Sequence, residues 1–253
     1  MKTICILAMI CSSLIFSGGL HARNGNILVY TFTGDGFVHD NIEASAAALQ
    51  EIGRELKVGV TVAGDPEVFE SPLDNYDAIV FTNTNAEAFL TDRQREAFRD
   101  FIESGGGFMG IHGASTSEPE WDWFTEMLGG SFIRHPPYQA FDVRVVDPDH
   151  LSTSHLPDPW AWEDECYYHR SLNPGNNVLL AADLSTLEDD PDKEQGEKTD
   201  GRLPLAWYRE MGNSRIFFTA LGHSIAHYED PLFRGHLSGG LRWVLGLPGY
   251  SKN

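Results

Sequence analysis

Apolar residues along this chain fall into two alternating rhythms: short β-branched or aromatic runs, and longer stretches with helical spacing. Asn26 to Thr33 (NILVYTFT) reads as a first strand that breaks into the glycine-rich loop Gly34-Asp35-Gly36-Phe37-Val38-His39. Ile42, Ala46, Leu49 and Leu56 follow at helical spacing, with Asp40 as the expected N-cap and Glu43 completing a capping box. Val58 to Ala63 and Tyr76 to Thr82 read as two further strands, the second apolar enough to be covered on both faces. Thr91 and Gln94 form another expected capping box, ahead of a helix whose stripe is Ala97, Phe98, Phe101 and Ile102 and which Gly105 stops.

The next strand, Gly107 to Ile111, is the one the chain is organised around, because it ends in the sharp turn Gly110-Ile111-His112-Gly113-Ala114. In an open α/β sheet, ligands bind outside the carboxyl ends of strands, so a side chain at such a turn is aimed at a site. A serine or cysteine here would suggest a nucleophile elbow. Histidine leaves acid/base work, metal ligation or no chemistry.

Beyond His112 the pattern loosens. Trp121 to Leu128 predicts a short helix, Phe141 to Val146 a half-exposed strand, Trp160 to Tyr168 another strand, and Asn177 to Ala182 a buried one. Leu203 to Arg209 and Ser214 to Ala220 read as strands joined through Met211-Gly212-Asn213, the second ending in Leu221-Gly222-His223-Ser224. Asp230 and Pro231 start a last helix with the stripe Phe233, Leu237, Leu241 and Val244. Strands alternating with helices predict an α/β fold, a doubly wound and mostly parallel sheet in one domain with helices on both faces.

Composition narrows the partners. The formal net charge is −19, which opposes binding to nucleic acid or an anionic membrane surface. Met1 to Ala22 reads as a cleaved export signal, with Lys2, an apolar core from Ile4 to Phe16 and small residues up to Ala22. The domain would then be 23–253, periplasmic or extracellular, with no membrane contact once the leader is removed. Cys5 and Cys11 leave with the leader, so Cys166 stands alone and no intrachain disulfide forms. Glu188 to Asp200 is acidic, but without the oxygen spacing of a calcium loop it reads as solvated surface. Oligomeric state is open, homo-oligomers included.

In a parallel sheet, the loops carrying His39 with Asp40, His112 and His223 leave from one edge. His135 and the cluster Glu163-Asp164-Glu165 lie in the irregular middle, positioned to fold over that edge as a lid. Such a gathering suits histidines and a carboxylate that bind a divalent metal, zinc for example, or that act as acid and base. His39, His112, His135 and His223 are the candidate ligands. Against that stands the plainer reading, in which His39 and His223 satisfy loop carbonyls and His112 fills a turn; no pair shows the i, i+4 spacing of a helical zinc motif. Trp121 with Trp123 and Trp160 with Trp162 offer flat faces suited to sugar rings or to core packing. Cys166 reads as a small buried hydrophobe.

Several blocks, in order, resemble the ThuA-like (trehalose utilisation) family, whose fold is related to class I glutamine amidotransferases. They are Gly36 to Asp40, Gly106 to His112, Gly129 to Phe132 with His135-Pro136, Asp147 to His150, Trp162 to Glu165 with Tyr167, Ala206-Trp207, and Thr219 to His223. Cys166 departs from the larger or aromatic residue common there, and Leu203-Pro204 stands where many members have His-Pro. His112 replaces the amidotransferase cysteine, which argues against glutamine hydrolysis. The resemblance implies carbohydrate utilisation, with a small saccharide as partner and disaccharides oxidised to 3-keto sugars as the associated class. It implies a lyase, hydrolase or isomerase using His112, His39, Glu165 and His223, with Asp40, Tyr167 and Trp162 on the substrate. The alternative is a carbohydrate-binding domain that does no chemistry.

Overall fold

A computed structural model describes residues 25–248. The expected leader therefore lies outside the described residues. Eleven strands and four α-helices are present among them: β1 Asn26–Tyr30, α1 Ile42–Leu56, β2 Gly59–Ala63, β3 Ala78–Thr82, α2 Asp92–Glu103, β4 Gly107–Ile111, α3 Asp122–Leu128, β5 Ser131–Arg134, β6 Gln139–Val145, β7 Trp160–Asp164, β8 Tyr168–Arg170, β9 Asn177–Ala182, β10 Leu203–Met211, β11 Ser214–Thr219 and α4 Pro231–Leu245. None of the helices is long and apolar enough to cross a membrane.

Nine strands form one sheet in the order β2-β1-β3-β4-β11-β10-β9-β6-β7. From β2 to β11 every pairing is parallel; from β11 outward every pairing is antiparallel. The parallel half is the doubly wound α/β core that the strand-helix alternation predicts. The antiparallel half follows from tight connections: the Met211-Gly212-Asn213 turn is too short for a crossover and folds β11 back on β10.

Helices cover both faces of the parallel half, as odd and even positions on β4 show. A methyl group added at Gly107 would meet Val244 of α4, whereas one added at Gly110 would meet Leu128 of α3. On the α2–α3 side, Phe69, Phe81, Phe89, Phe98, Phe108 and Phe124 interlock ring to ring. All are buried to 1% exposure or less, each worth about 1.5–3 kcal/mol of transfer free energy. This block fixes the ends of β3 and β4, from which the site emerges.

Local sequence rules hold where the helix is regular. Thr91 and Gln94 form their capping box at α2, and the Asp230 carboxylate accepts from the backbone N–H groups of Leu232 and Phe233 at the start of α4. The expected cap of α1 is different. Asn41, not Asp40, holds the N-cap position, and neither makes a side-chain cap; Asp40 is exposed one residue outside the helix. Asn41 is diverted because its amide is used at the site.

Two expected strand limits change. β1 stops at Tyr30, and the run Trp160 to Tyr168 breaks into β7 in the large sheet and β8, which pairs with β5 in a separate two-stranded sheet. Glu165 lies in the break.

Candidate functional site

β1, β4 and β11 run parallel, so their carboxyl ends share an edge, and His39, His112 and His223 do converge there. The register places Ile111 beside Thr82 on one side and Thr219 on the other, so His112 follows directly at the rim. Its φ is +48°, a left-handed conformation that a side chain with a Cβ adopts only under constraint, at a cost of about 1–3 kcal/mol. Gly113 makes the turn possible: a Cβ there would come within 3.0 Å of the Thr84 carbonyl and 3.2 Å of Asn83 Cα. The bend aims a fully buried imidazole across the strand ends.

One hydrogen bond sets the chemistry of that ring. His112 Nδ1 lies 2.7 Å from the Ala220 carbonyl oxygen, which can only accept, so Nδ1 carries the proton and Nε2 presents a lone pair. Nε2 faces His223 Nδ1 at 3.3 Å and Glu165 Oε2 at 3.6 Å. The third side of this triangle, His223 Nδ1 to Glu165 Oε2, is 3.1 Å. The His39 ring stands edge-on, its centroid 4.9 Å from that of His112 and 5.4 Å from that of His223. One nitrogen or oxygen from each of His39, His112, Glu165 and His223 lies within 4.8 Å of all the others.

Charges in the cluster push against one another. Burial, then the neighbouring His112 and His223, drive the His39 pKa down to about 3, leaving it a neutral imidazole. Burial pulls the Glu165 carboxyl upward, but hydrogen bonds to His112 and His223 and the charge of His135 outweigh it and hold Glu165 below the usual carboxylate range. The Glu165 hydrogen bond raises His223 against the opposing effect of burial.

The loosely patterned middle does fold over the edge. Pairing of β5 with β8 carries His135 in, where its Nε2 is 3.5 Å from Glu165 Oε1, the oxygen opposite to the one facing the other histidines. His135 thus touches the cluster through Glu165 rather than standing within it, and its side chain is one-third exposed. Tyr167, buried, lays its ring over His112 with centroids 4.2 Å apart. Asp40 sits exposed at the mouth, close enough for its charge to raise His223. Phe37 and Val38, each 64% exposed, flank the same opening, with the Phe37 ring 4.8 Å from His39.

Trp162 does not reach the cluster. It is packed against Trp160 and His227, with centroids 4.5 and 4.4 Å away, and it borders a neighbouring cavity of about 420 Å³ lined also by Tyr138, Ser224 and His227. Trp121 and Trp123 pack partly buried against the core under the Arg99 guanidinium. Cys166 is fully buried and its thiol pushed up by that burial, the inert state expected of it.

Asp164 and Asn41 matter to the site and were not among the candidates. The Asp164 carboxylate, fully buried, accepts from the backbone N–H groups of Gly222 (2.8 Å), His223 (3.3 Å) and Glu165 (2.8 Å), and from Trp162 Nε1 (2.9 Å). From the other side the Asn41 amide donates to the carbonyls of Gly222 and His223. The peptide that carries His223 is therefore held by both its donors and its acceptors. Alternation in β7 was the available signal for Asp164: Trp160, Trp162 and Asp164 share the buried face, Ala161 and Glu163 the exposed one. Nothing in the local sequence distinguishes Asn41 from an ordinary helix start.

Three imidazoles and a carboxylate around one point can bind a divalent cation or an electronegative substrate oxygen, and can pass a proton through His135 to the mouth. The fold that builds this arrangement is shared with solved structures. A ThuA-like protein from Bacteroides uniformis is 22% identical, with a TM-score of 0.71 over 90% of this chain and 94% of its own. A ThuA-like protein from Parabacteroides merdae is 21% identical, with a TM-score of 0.70 over 89% and 92%. A protein described as one component of a GMP synthase, from Thermoplasma acidophilum, matches more loosely, at 13% identity and a TM-score of 0.52 over 87% and 94%, which fits the expected kinship of fold with glutamine amidotransferases. No curated protein sequence matches significantly. The family model ThuA, described as trehalose utilisation, matches residues 26–244, and the chain belongs to this family of carbohydrate-utilisation proteins.

Proposed function

We propose that the chain is a carbohydrate-processing enzyme whose reaction centre is the cluster of His39, His112, Glu165 and His223, and that its substrates are glycosides oxidised to a ketone at C3. The observation that carries this reading is the convergence of His112 Nε2, His223 Nδ1 and Glu165 Oε2 on one point, 3.1–3.6 Å apart. Such a point receives a carbonyl oxygen and stabilises the negative charge that forms on it.

A ketone at C3 acidifies the proton on C2. Removing that proton places the electron pair in a C2–C3 enolate, with the charge on the oxygen held by the cluster. Collapse of the enolate forms the C1–C2 double bond and breaks the C1–O bond; the leaving oxygen takes a proton and departs as an alcohol. Reprotonation elsewhere gives an isomer instead. His135, partly exposed and in contact with Glu165 Oε1, is placed to accept the C2 proton and return it to the leaving group. Asp40, Phe37 and Tyr167 border the opening where the sugar ring would lie. Support for a sugar rather than another carbonyl compound comes from the family. Export to the periplasm or beyond is part of the same proposal, supported by the sequence of Met1 to Ala22.

The test is to incubate the purified protein with 3-keto disaccharides and with their unoxidised parents, following substrate by mass spectrometry beside a His112→Ala variant. Loss of a keto sugar in the wild type alone supports the reading. Equal loss in both proteins removes the site from the reaction, and saccharide binding by calorimetry with no product returns the chain to a binding role.

A further inference from the structure

We propose that His39, His112, His223 and Glu165 bind one divalent cation of the zinc class at the carboxyl edge of the sheet. This does not depend on which sugar is the substrate, because it rests on geometry alone. Three donor atoms form a triangle with sides of 3.1, 3.3 and 3.6 Å. A tetrahedral ion with bonds of about 2.0–2.1 Å has ligand-to-ligand edges of roughly 3.3–3.4 Å, so one ion reaches all three atoms with shifts of a few tenths of an ångström. His39 supplies a fourth donor within 4.8 Å of the others.

Donor type and surroundings agree with the spacing. Imidazole nitrogen with one carboxylate oxygen suits zinc and its neighbours in the first transition row better than calcium or magnesium, which take oxygen. The supporting bonds have the form that ligands need: His112 gives its Nδ1 proton to the Ala220 carbonyl, and Glu165 offers its second oxygen to His135. Asp164 and Asn41 fix the His223 backbone. Buried His39, 4% exposed, has an Nδ1 with no hydrogen-bond partner among the described residues. His39 and His112 close the inner side while Glu165 and His223 are partly open, so water or a substrate oxygen can complete the coordination. Bound there, the cation would supply Lewis acidity to a carbonyl oxygen.

The experiment is a calorimetric titration of the chelator-treated protein with Zn²⁺, together with elemental analysis of the protein as purified. One zinc per chain is expected, with affinity weakened about a hundredfold or more in His112→Ala and in Glu165→Gln, and about tenfold in His135→Ala, whose side chain acts through Glu165. Glu165 is partly exposed, so Glu165→Gln retains shape and keeps the test valid if His112→Ala unfolds. Absence of zinc binding in the wild type, or equal binding in all variants, overturns the site. Zinc bound without turnover of any keto sugar leaves the cation site intact and removes the substrate reading; turnover by metal-free protein does the reverse.

Discussion

His112 gives its Nδ1 proton to the carbonyl of Ala220, 2.7 Å away on the neighbouring strand, and that one bond decides which nitrogen the site receives. The bond exists because β4 and β11 are adjacent and parallel, and because the backbone at His112 is forced to φ +48°. Strain and function therefore meet in one residue.

Substitution at this position separates the two. His112→Ala and His112→Gly both lose the imidazole and should both be inactive. Glycine relieves the left-handed backbone while alanine does not. Urea unfolding should therefore find His112→Gly more stable than His112→Ala by about 1 kcal/mol, although glycine is ordinarily the less stable choice. The reverse order would show that the turn carries no strain.

Asp164 is predicted to be the residue on which the geometry of the site depends most without touching substrate. Its carboxylate holds three backbone N–H groups and one indole. Asn in its place keeps the shape but has one acceptor oxygen, leaving buried donors unpaired. Asp164→Asn should lower unfolding free energy by about 2–4 kcal/mol. The protein that remains folded should turn over more slowly at unchanged pH optimum, since His223 is displaced rather than removed. Unchanged stability and rate would contradict this.

Asp40 is predicted to behave in the opposite way. An N-cap aspartate contributes about 1 kcal/mol, but Asp40 is exposed and caps nothing. Asp40→Ala should leave the unfolding midpoint unmoved and should weaken saccharide affinity in calorimetry. A loss of stability near the capping value would restore the role that the sequence pattern suggests.

Acid should destabilise the fold through histidines remote from the cluster. Burial lowers His236 to about 3 and His150 to about 4, whereas an unfolded histidine titrates near 6.5. Below that value the unfolded chain binds protons that the folded chain refuses, so stability is intact above about pH 6.5 and falls as pH drops toward 4. Each of the two adds up to about 1.4 kcal/mol per pH unit to the slope in that window. Thermal melts from pH 4 to 8 should show the decline, and His236→Gln should flatten it. A slope unchanged by that substitution would show that His236 is not held neutral.

The parallel core was legible because its signals are local. Gly107–Ile111 and Asn177–Ala182 read as strands directly from apolar runs, and α4 from Asp230, Pro231 and a clean stripe. The edge where three histidines meet followed from alternation alone. What was not legible depends on partners distant in sequence: Asn41 looks like a helix start until Gly222 and His223 are placed against it, and Asp40 looks like a cap for the same reason. Glu165 is brought to the site by the break between β7 and β8, which a continuous aromatic and acidic run conceals. Trp162, read as a sugar platform, is held away from the cluster by its bond to Asp164.

The most direct measurement uses a 3-keto disaccharide carrying deuterium at C2, incubated with wild-type protein, with His112→Ala and with no protein, and followed by mass spectrometry of product and remaining substrate. The account predicts that every product molecule formed by the wild type has lost the C2 label, and that the variant matches the protein-free sample. Product that keeps its deuterium at C2 would mean that the glycosidic bond breaks without removal of that proton, and would contradict the account.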